Sequence, residues 1–129
     1  MEQSKMSTIR FPHMREEVIA AVRSLADLDH QKTRWGVNEE GVTYYDDLTL
    51  VVNVLYDDTA VLPEPSRAVG VVIYDQETTA LRAVGELLSP LIEDIGNAPD
   101  NVYIADARWP AVVDSARMAL ATMKASDSR

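Results

Sequence analysis

The sequence contains no cysteine, and that absence removes several kinds of chemistry at once. Disulfide frameworks, thiolate zinc sites, iron–sulfur clusters and cysteine nucleophiles all require the missing thiol. No stretch approaches the roughly 18 uninterrupted apolar residues of a membrane span. The first ten residues also lack the apolar region of a secretory signal. We therefore expect a protein of the cytoplasm that is not inserted in a membrane.

Basic residues are scarce compared with acidic ones. The chain has 12 Lys and Arg against 21 Asp and Glu, which gives a formal net charge of −9. The basic residues are scattered singly, whereas nucleic-acid-binding proteins usually cluster them. Anionic membrane surfaces are disfavoured for the same reason. Of the macromolecular partners, a basic protein is the one that this charge balance favours.

Residues that commonly carry catalysis or hold metals are few. The only histidines are His13 and His30, and neither has a second histidine three or four residues away. No serine lies in a Gly-x-Ser-x-Gly turn, the five glycines are isolated, and no calcium-binding loop of the Asp-x-Asp-x-Asp-Gly type is present. The sequence therefore predicts no catalytic residue, no metal ligand and no cofactor, and it favours a non-catalytic role.

The 129 residues have the length of one ordinary domain. We expect a flexible tail over residues 1–10, a globular core over 11–124 and a frayed end from residue 125. Apolar residues recur at helical spacing over 12–28, 76–95 and the stretch that follows Trp109. These patterns predict a mainly α fold, a compact bundle of about four to five helices that includes at most one short hairpin. An α+β fold is the alternative.

Several boundaries and short segments are less determined by the pattern. Asp75 is the expected cap of the helix over 76–95, Pro90 should kink or break that helix, and Gly96 should end it. Residues 48–56 fit a helix better than a strand, although their β-branched content favours the strand. A polar connection is expected over 29–47, with a short extended piece at 42–45. Residues 69–74 and 102–105 fit either a helical turn or a short strand.

The net negative charge is concentrated in one quarter of the chain. Between Trp35 and Ser66 there is no Lys or Arg, and there are seven acids: Glu39, Glu40, Asp46, Asp47, Asp57, Asp58 and Glu64. A solvated, solubilising surface is the simpler interpretation; an acidic surface that steers a basic partner is the sharper one. On the second interpretation the partner-contacting residues are Asp46, Asp47, Tyr56, Asp57 and Asp58. Trp35 fits a ring that closes the edge of the core better than it fits a ligand platform.

Three stretches carry a resemblance to a known family. They are Leu-Tyr-Asp-Asp-Thr at 55–59, Val-Gly-Val-Val-Ile-Tyr-Asp-Gln-Glu at 69–77 and Trp-Pro-Ala-Val-Val-Asp-Ser-Ala-Arg-Met-Ala-Leu at 109–120. Over residues 45–123 the chain resembles a family of small, acidic, uncharacterised bacterial proteins. The resemblance implies a mainly helical domain and carries no catalytic residues with it.

Three hypotheses about function follow. The first is an interaction protein that presents an acidic surface to a basic protein partner, with toxin neutralisation as one form of that role. The alternative is a small-molecule or divalent-metal binding protein that uses the Asp pairs at 46–47 and 57–58. A third is a homo-oligomer that buries a shared apolar face and leaves the acids outside.

Overall fold

The computed structural model describes residues 9–35 and 48–128, and within them it contains six α-helices and no β-strand. The predicted mainly α fold is therefore confirmed, and neither the short hairpin nor the α+β alternative is present in the described part. The helices are α1 (Pro12–Ala26), α2 (Leu28–Arg34), α3 (Leu48–Val52), α4 (Thr78–Ile95), α5 (Asp100–Ala105) and α6 (Trp109–Asp127). Helix α3 continues directly as a π-helix (Asn53–Asp58), and two 3₁₀ turns (Pro65–Ala68 and Asp75–Glu77) precede α4.

Helices α1, α4 and α6 enclose the core, with α6 packed against both of the others. The apolar stripe of each supplies fully buried side chains, among them Val22 from α1, Leu88 from α4 and Met123 from α6. Burying such a side chain contributes roughly 1.5–3 kcal/mol relative to leaving it in water. The three long amphipathic patterns in the sequence thus form the centre of the fold.

Helix α1 ends earlier than its apolar pattern predicts. Asp27 leaves the helical conformation, with φ −118° and ψ 92°, and its carboxylate accepts a hydrogen bond from the backbone N–H of His30 at 3.0 Å. Asp27 is therefore the N-cap of α2, which an aspartate suits well. The connection predicted from residue 29 was wrong over this helix. Its other predicted part, the extended piece at 42–45, lies outside the described residues.

Trp35 and Trp109 join α2 to α6 at one end of the core. Trp35 is 5% exposed, and its ring lies 6.0 Å from that of Trp109 in an edge-to-face arrangement. The indole N–H of Trp109 donates to Gln31 Oε1 at 2.8 Å. The side-chain amide of Gln31 in turn donates to the carbonyl oxygens of Ser24 and Leu25. The predicted role of Trp35 in closing the edge of the core is confirmed.

Helix α4 differs from expectation at its start and in its middle. The 3₁₀ turn at Asp75–Glu77 leads into it, and the Glu77 carboxylate accepts from the backbone N–H of Tyr74 at 2.9 Å. Tyr74 is therefore the N-cap of the turn, Glu77 is the N-cap of α4, and the prediction that Asp75 caps the helix was wrong. Pro90 does not break the helix, which runs on to Ile95. Gly96 ends it with φ +68°, as predicted for a glycine in that position.

Three shorter segments complete the description. Residues 69–74 form a hydrogen-bonded turn with an isolated bridge between Val69 and Ile73, and they contain neither a regular helix nor a strand. Residues 102–105 belong to α5, and residues 48–52 are helical, as the pattern favoured. Helix α6 runs past the predicted end of the core to Asp127. Within the described part, no helix is long and apolar enough to cross a membrane.

Candidate functional site

A π-helix interrupts the regular α-helical structure of the described chain. It spans Asn53–Asp58 and directly continues α3. Thr59 closes it, because its backbone N–H and its hydroxyl both donate to the carbonyl oxygen of Val54, at 3.0 and 2.7 Å. Wider turns of this kind occur often at functional sites. The turn leaves Asp57 and Asp58 exposed at its C-terminal end.

Tyr56 anchors this turn to α4. Its hydroxyl lies 2.7 Å from Ser89 Oγ, and its ring is half-buried against the core. Burial raises the pKa of Tyr56, and the hydrogen bond with Ser89 only partly offsets this. The predicted partner-contacting role of Tyr56 is untested. What the structure shows is a hydrogen bond that links the π-helix to α4.

A groove lies between α1 and the continuous helix formed by α3 and the π-helix. We call it the α1–α3 groove; its volume is about 480 Å³. The described residues that line it are Glu17, Ala20, Ala21, Ser24, Leu50, Val51, Val54 and Asp58. Five of these are apolar, two are acidic and none is basic. The groove therefore has an apolar floor with carboxylates from both of its walls.

The acids of this site differ from the last acid of the predicted block. Glu64 is paired with Arg82, with 2.6 Å between Glu64 Oε2 and Arg82 Nη2. The hydrogen bonds from Arg82 lower the pKa of Glu64 to about 2. Within residues 9–35 and 48–128, neither Asp57 nor Asp58 has an ion pair. Of the acids of the predicted block that the structure describes, Glu64 is thus paired and Asp57 and Asp58 are not.

The structure brings three of the five predicted contact residues together, since Tyr56, Asp57 and Asp58 share the π-helix. The other two, Asp46 and Asp47, lie outside the described residues, so their predicted role stays a prediction. Sequence reasoning missed Glu17 and the wall that α1 contributes. The adjacent Ala20 and Ala21 on an otherwise amphipathic helix were the available signal, because small side chains leave a depression.

The most buried charges of the described chain form a separate cluster around Arg15. Its guanidinium makes a two-pronged contact with Glu77, at 2.8 and 2.7 Å, and contacts Asp127 at 3.0 Å. It also donates to the carbonyl oxygen of Val72 and stacks 4.6 Å from the centre of the Tyr74 ring. Burial works to lower the pKa of Arg15, but Glu77 and Asp127 outweigh it and raise that pKa. Arg15 is fully engaged by protein groups, which identifies the cluster as structural.

A metal site at the aspartates or His30 would need several carboxylate or imidazole groups close together. In the described ranges no three His, Asp or Glu side chains converge as metal ligands would. A second, smaller cavity of about 260 Å³ lies between α3, α4 and α5. Asp100 lines it, but its carboxylate accepts from the backbone N–H of Leu48 at 3.2 Å and so caps α3. The α1–α3 groove remains the best candidate site.

The chain belongs to the family described as Domain of unknown function (DUF7945), whose family model matches residues 9–129. Neither the comparison with curated proteins nor that with solved structures gave a match.

Proposed function

We propose that this family member is a non-catalytic interaction protein of the cytoplasm that presents an acidic face to a basic protein partner. The acidic face consists of Glu17, Asp57 and Asp58. The observation that carries the proposal is the α1–α3 groove, which combines an apolar floor with carboxylates and has no basic residue among its described lining. Binding faces commonly combine an apolar centre with a charged rim.

The position of the two aspartates supports a role other than stability. Asp57 and Asp58 are the last residues of the π-helix. The C-terminal end of a helix carries a partial negative charge, so acids there are unfavourable. Among the described side chains, neither aspartate forms an ion pair that would compensate. Local rules of this kind are usually broken where function requires it.

A basic partner would gain from this face in two ways. Complementary charge accelerates encounter, and it does so most at low ionic strength. The apolar floor then supplies contact area that salt does not screen. Neutralisation of a basic toxin is one form that such an interaction takes, and we include it in the proposal.

Affinity capture from cell extract tests the proposal with charge-matched variants. The chain would be immobilised and challenged at about 0.1 M and about 1 M salt, where the screening length falls from about 10 to about 3 Å. We expect a basic protein to be retained at the lower salt only. Asp57→Asn/Asp58→Asn should abolish retention. The control Glu86→Gln/Glu93→Gln removes the same charge from exposed positions of α4 that do not line the groove.

Two results would refute the proposal. One is retention of no basic protein at low salt. The other is equal retention by the wild type and the Asp57→Asn/Asp58→Asn variant.

A small-molecule ligand is the second candidate, and one observation favours it. The groove volume of about 480 Å³ falls within the 300–1,000 Å³ or so that is typical of small-ligand sites. An organic cation would match the carboxylates of Glu17 and Asp58. Thermal unfolding with added organic amines, and with Mg²⁺, Ca²⁺ and Zn²⁺ for the divalent-metal alternative, tests this candidate. The absence of any shift in the unfolding temperature would eliminate both ligand classes.

A further inference from the structure

We infer that the segment bound in the α1–α3 groove is a short amphipathic helix, with apolar residues on one side and Lys or Arg flanking them. The inference rests on the proposed function, because it specifies the part of the basic partner that this chain holds. Helix-in-groove recognition is a recurrent way of binding proteins, and it is recognised by anchors at i, i+3 or i+4 and i+7.

The groove has the length of a short helical segment. On α1 the lining runs from Glu17 through Ala20 and Ala21 to Ser24. These positions are separated by three, four and seven residues, so they form one stripe about 10 Å long at 1.5 Å per residue. The opposite wall runs from Leu50 to Asp58 and is of similar extent. Two turns of a partner helix would span this length.

The floor selects for apolar anchors. Val51 and Val54 are 1% and 8% exposed and form its base, while Leu50 stands at its edge with 44% exposed. Ala20 and Ala21 carry only methyl groups, which opens space on the side of α1. A volume of about 480 Å³ far exceeds the roughly 30 Å³ share of one water molecule. It accommodates several aliphatic side chains, whose burial would drive association.

The two carboxylates select for charge. Glu17 and Asp58 come from opposite walls of the groove. A neutral apolar helix would cover them without compensation, and an uncompensated buried charge is strongly unfavourable. A purely basic chain would satisfy them but leave the floor uncovered. The lining therefore favours a segment that carries both features over a segment that carries either one.

Synthetic peptides separate these possibilities. The probe is a peptide of about 14 residues, two heptads long, with leucines at a and d spacing and lysines elsewhere. The comparators are the same composition scrambled so that the leucines share no face, an oligolysine of equal charge, and the amphipathic peptide with Glu in place of Lys. Binding would be measured by titration calorimetry at low salt. We expect the basic amphipathic probe to bind at least tenfold more tightly than each comparator.

Variants of the chain locate the binding. Ala20→Leu fills the groove from an exposed position of α1, and Glu17→Gln/Asp58→Asn removes its carboxylates. Each should weaken probe binding at least tenfold. Ala121→Leu is the matched control, because Ala121 is an exposed alanine of α6 that does not line the groove. Unchanged urea unfolding of each variant would show that the fold is intact.

The possible failures are distinguishable. If the oligolysine and the scrambled peptide bind as tightly as the probe and Ala20→Leu changes nothing, the inference is wrong while the acidic-face proposal stands. If no basic peptide binds at low salt, both are wrong. If light scattering shows a dimer that Ala20→Leu dissociates, a second copy of this chain occupies the groove, and the inference is overturned.

Discussion

Carboxylates have opposite surroundings in two regions of this molecule. Around Arg15, Glu77 is fully buried and each of its carboxylate oxygens faces the guanidinium. Around the α1–α3 groove, Asp57 and Asp58 are exposed and form no ion pair with a described side chain. Acids of the first kind hold elements of the fold together. Acids of the second kind make no such contact within the described part of the fold, and we propose that they contact a partner.

The difference shows that a count of charges is a poor guide to a functional surface. The net charge of −9 is the same whether an acid is paired or not. The two kinds of acid are told apart by their burial and by the cations that contact them. A buried acid must be compensated by a cation, and an exposed acid need not be. Substitutions in the two regions should therefore differ most in their effect on stability.

The largest effect is expected from Arg15→Met, which leaves Glu77 buried without its cation. Removing one partner of a buried ion pair costs about 3–5 kcal/mol of unfolding free energy. Urea unfolding measures this loss. Arg23→Met is the control, because Arg23 is an exposed arginine of the same helix, and it should change stability by less than about 0.5 kcal/mol. If Arg15→Met lowers the unfolding free energy by less than about 1 kcal/mol, the buried acid Glu77 does not depend on its cation and the two regions do not differ as proposed.

A smaller loss is expected from Trp109→Phe, which tests the uncharged part of the interior. The substitution removes the donor to Gln31 Oε1 and replaces the indole that lies edge-to-face with Trp35 by a smaller ring. The cavity and the unpaired amide oxygen together should cost about 2–3 kcal/mol of unfolding free energy. Thermal or urea unfolding measures it. Stability equal to that of the wild type would show that the Gln31–Trp109 hydrogen bond does not hold α2 to α6.

Glu64 combines features of the two regions: it forms an ion pair, as Glu77 does, but it lies at the surface, as Asp57 and Asp58 do. Its pKa is about 2, below the ordinary value of 4.5. The stabilisation from its charged form is therefore complete above about pH 4.5 and is lost as the pH falls through about 2. We expect the unfolding free energy of the Glu64→Gln variant to fall less between about pH 5 and about pH 2 than that of the wild type. Unfolding curves that are equally pH-dependent in both proteins would contradict the pairing with Arg82.

The smallest effect on stability is expected from Asp57→Asn/Asp58→Asn. Because both acids lie at the C-terminal end of a helix, neutralising them should leave the unfolding free energy unchanged or raise it by up to about 0.5 kcal/mol. The same variant should lose partner binding. A destabilisation above about 1 kcal/mol would mean that Asp57 and Asp58 stabilise the fold. The contrast between buried and exposed acids would then be wrong for the exposed ones.

The long helices were predictable because their apolar stripes are strong local signals. Val18, Val22 and Leu25 recur at helical spacing and are all fully buried. The short helices were not predictable in the same way. Helix α2 depends on the cap at Asp27, on the Gln31 side chain and on its contact with Trp109, 78 residues further along the chain. A single local window does not contain those contacts.

The candidate site was predictable only in part, for a similar reason. The block of acids was visible in the sequence, but the pairing of Glu64 depends on Arg82, 18 residues away. The π-helix was not expected, because an apolar run at ordinary helical spacing does not reveal a wider turn. The wall supplied by Glu17 and Ala20 depends on how α1 packs against α3. Only the folded chain brings those residues to Leu50 and Asp58.

The contact between Arg15 and Asp127 joins residues 112 positions apart, and this separation has a consequence for synthesis of the protein. At ribosomal rates of about 5–20 residues per second, Arg15 waits roughly 6–22 s before its last partner has been made. During that interval the apolar face of α1 lacks α6, the helix that covers it. Helix α1 therefore cannot complete its packing until α6 has been synthesised and has left the exit tunnel.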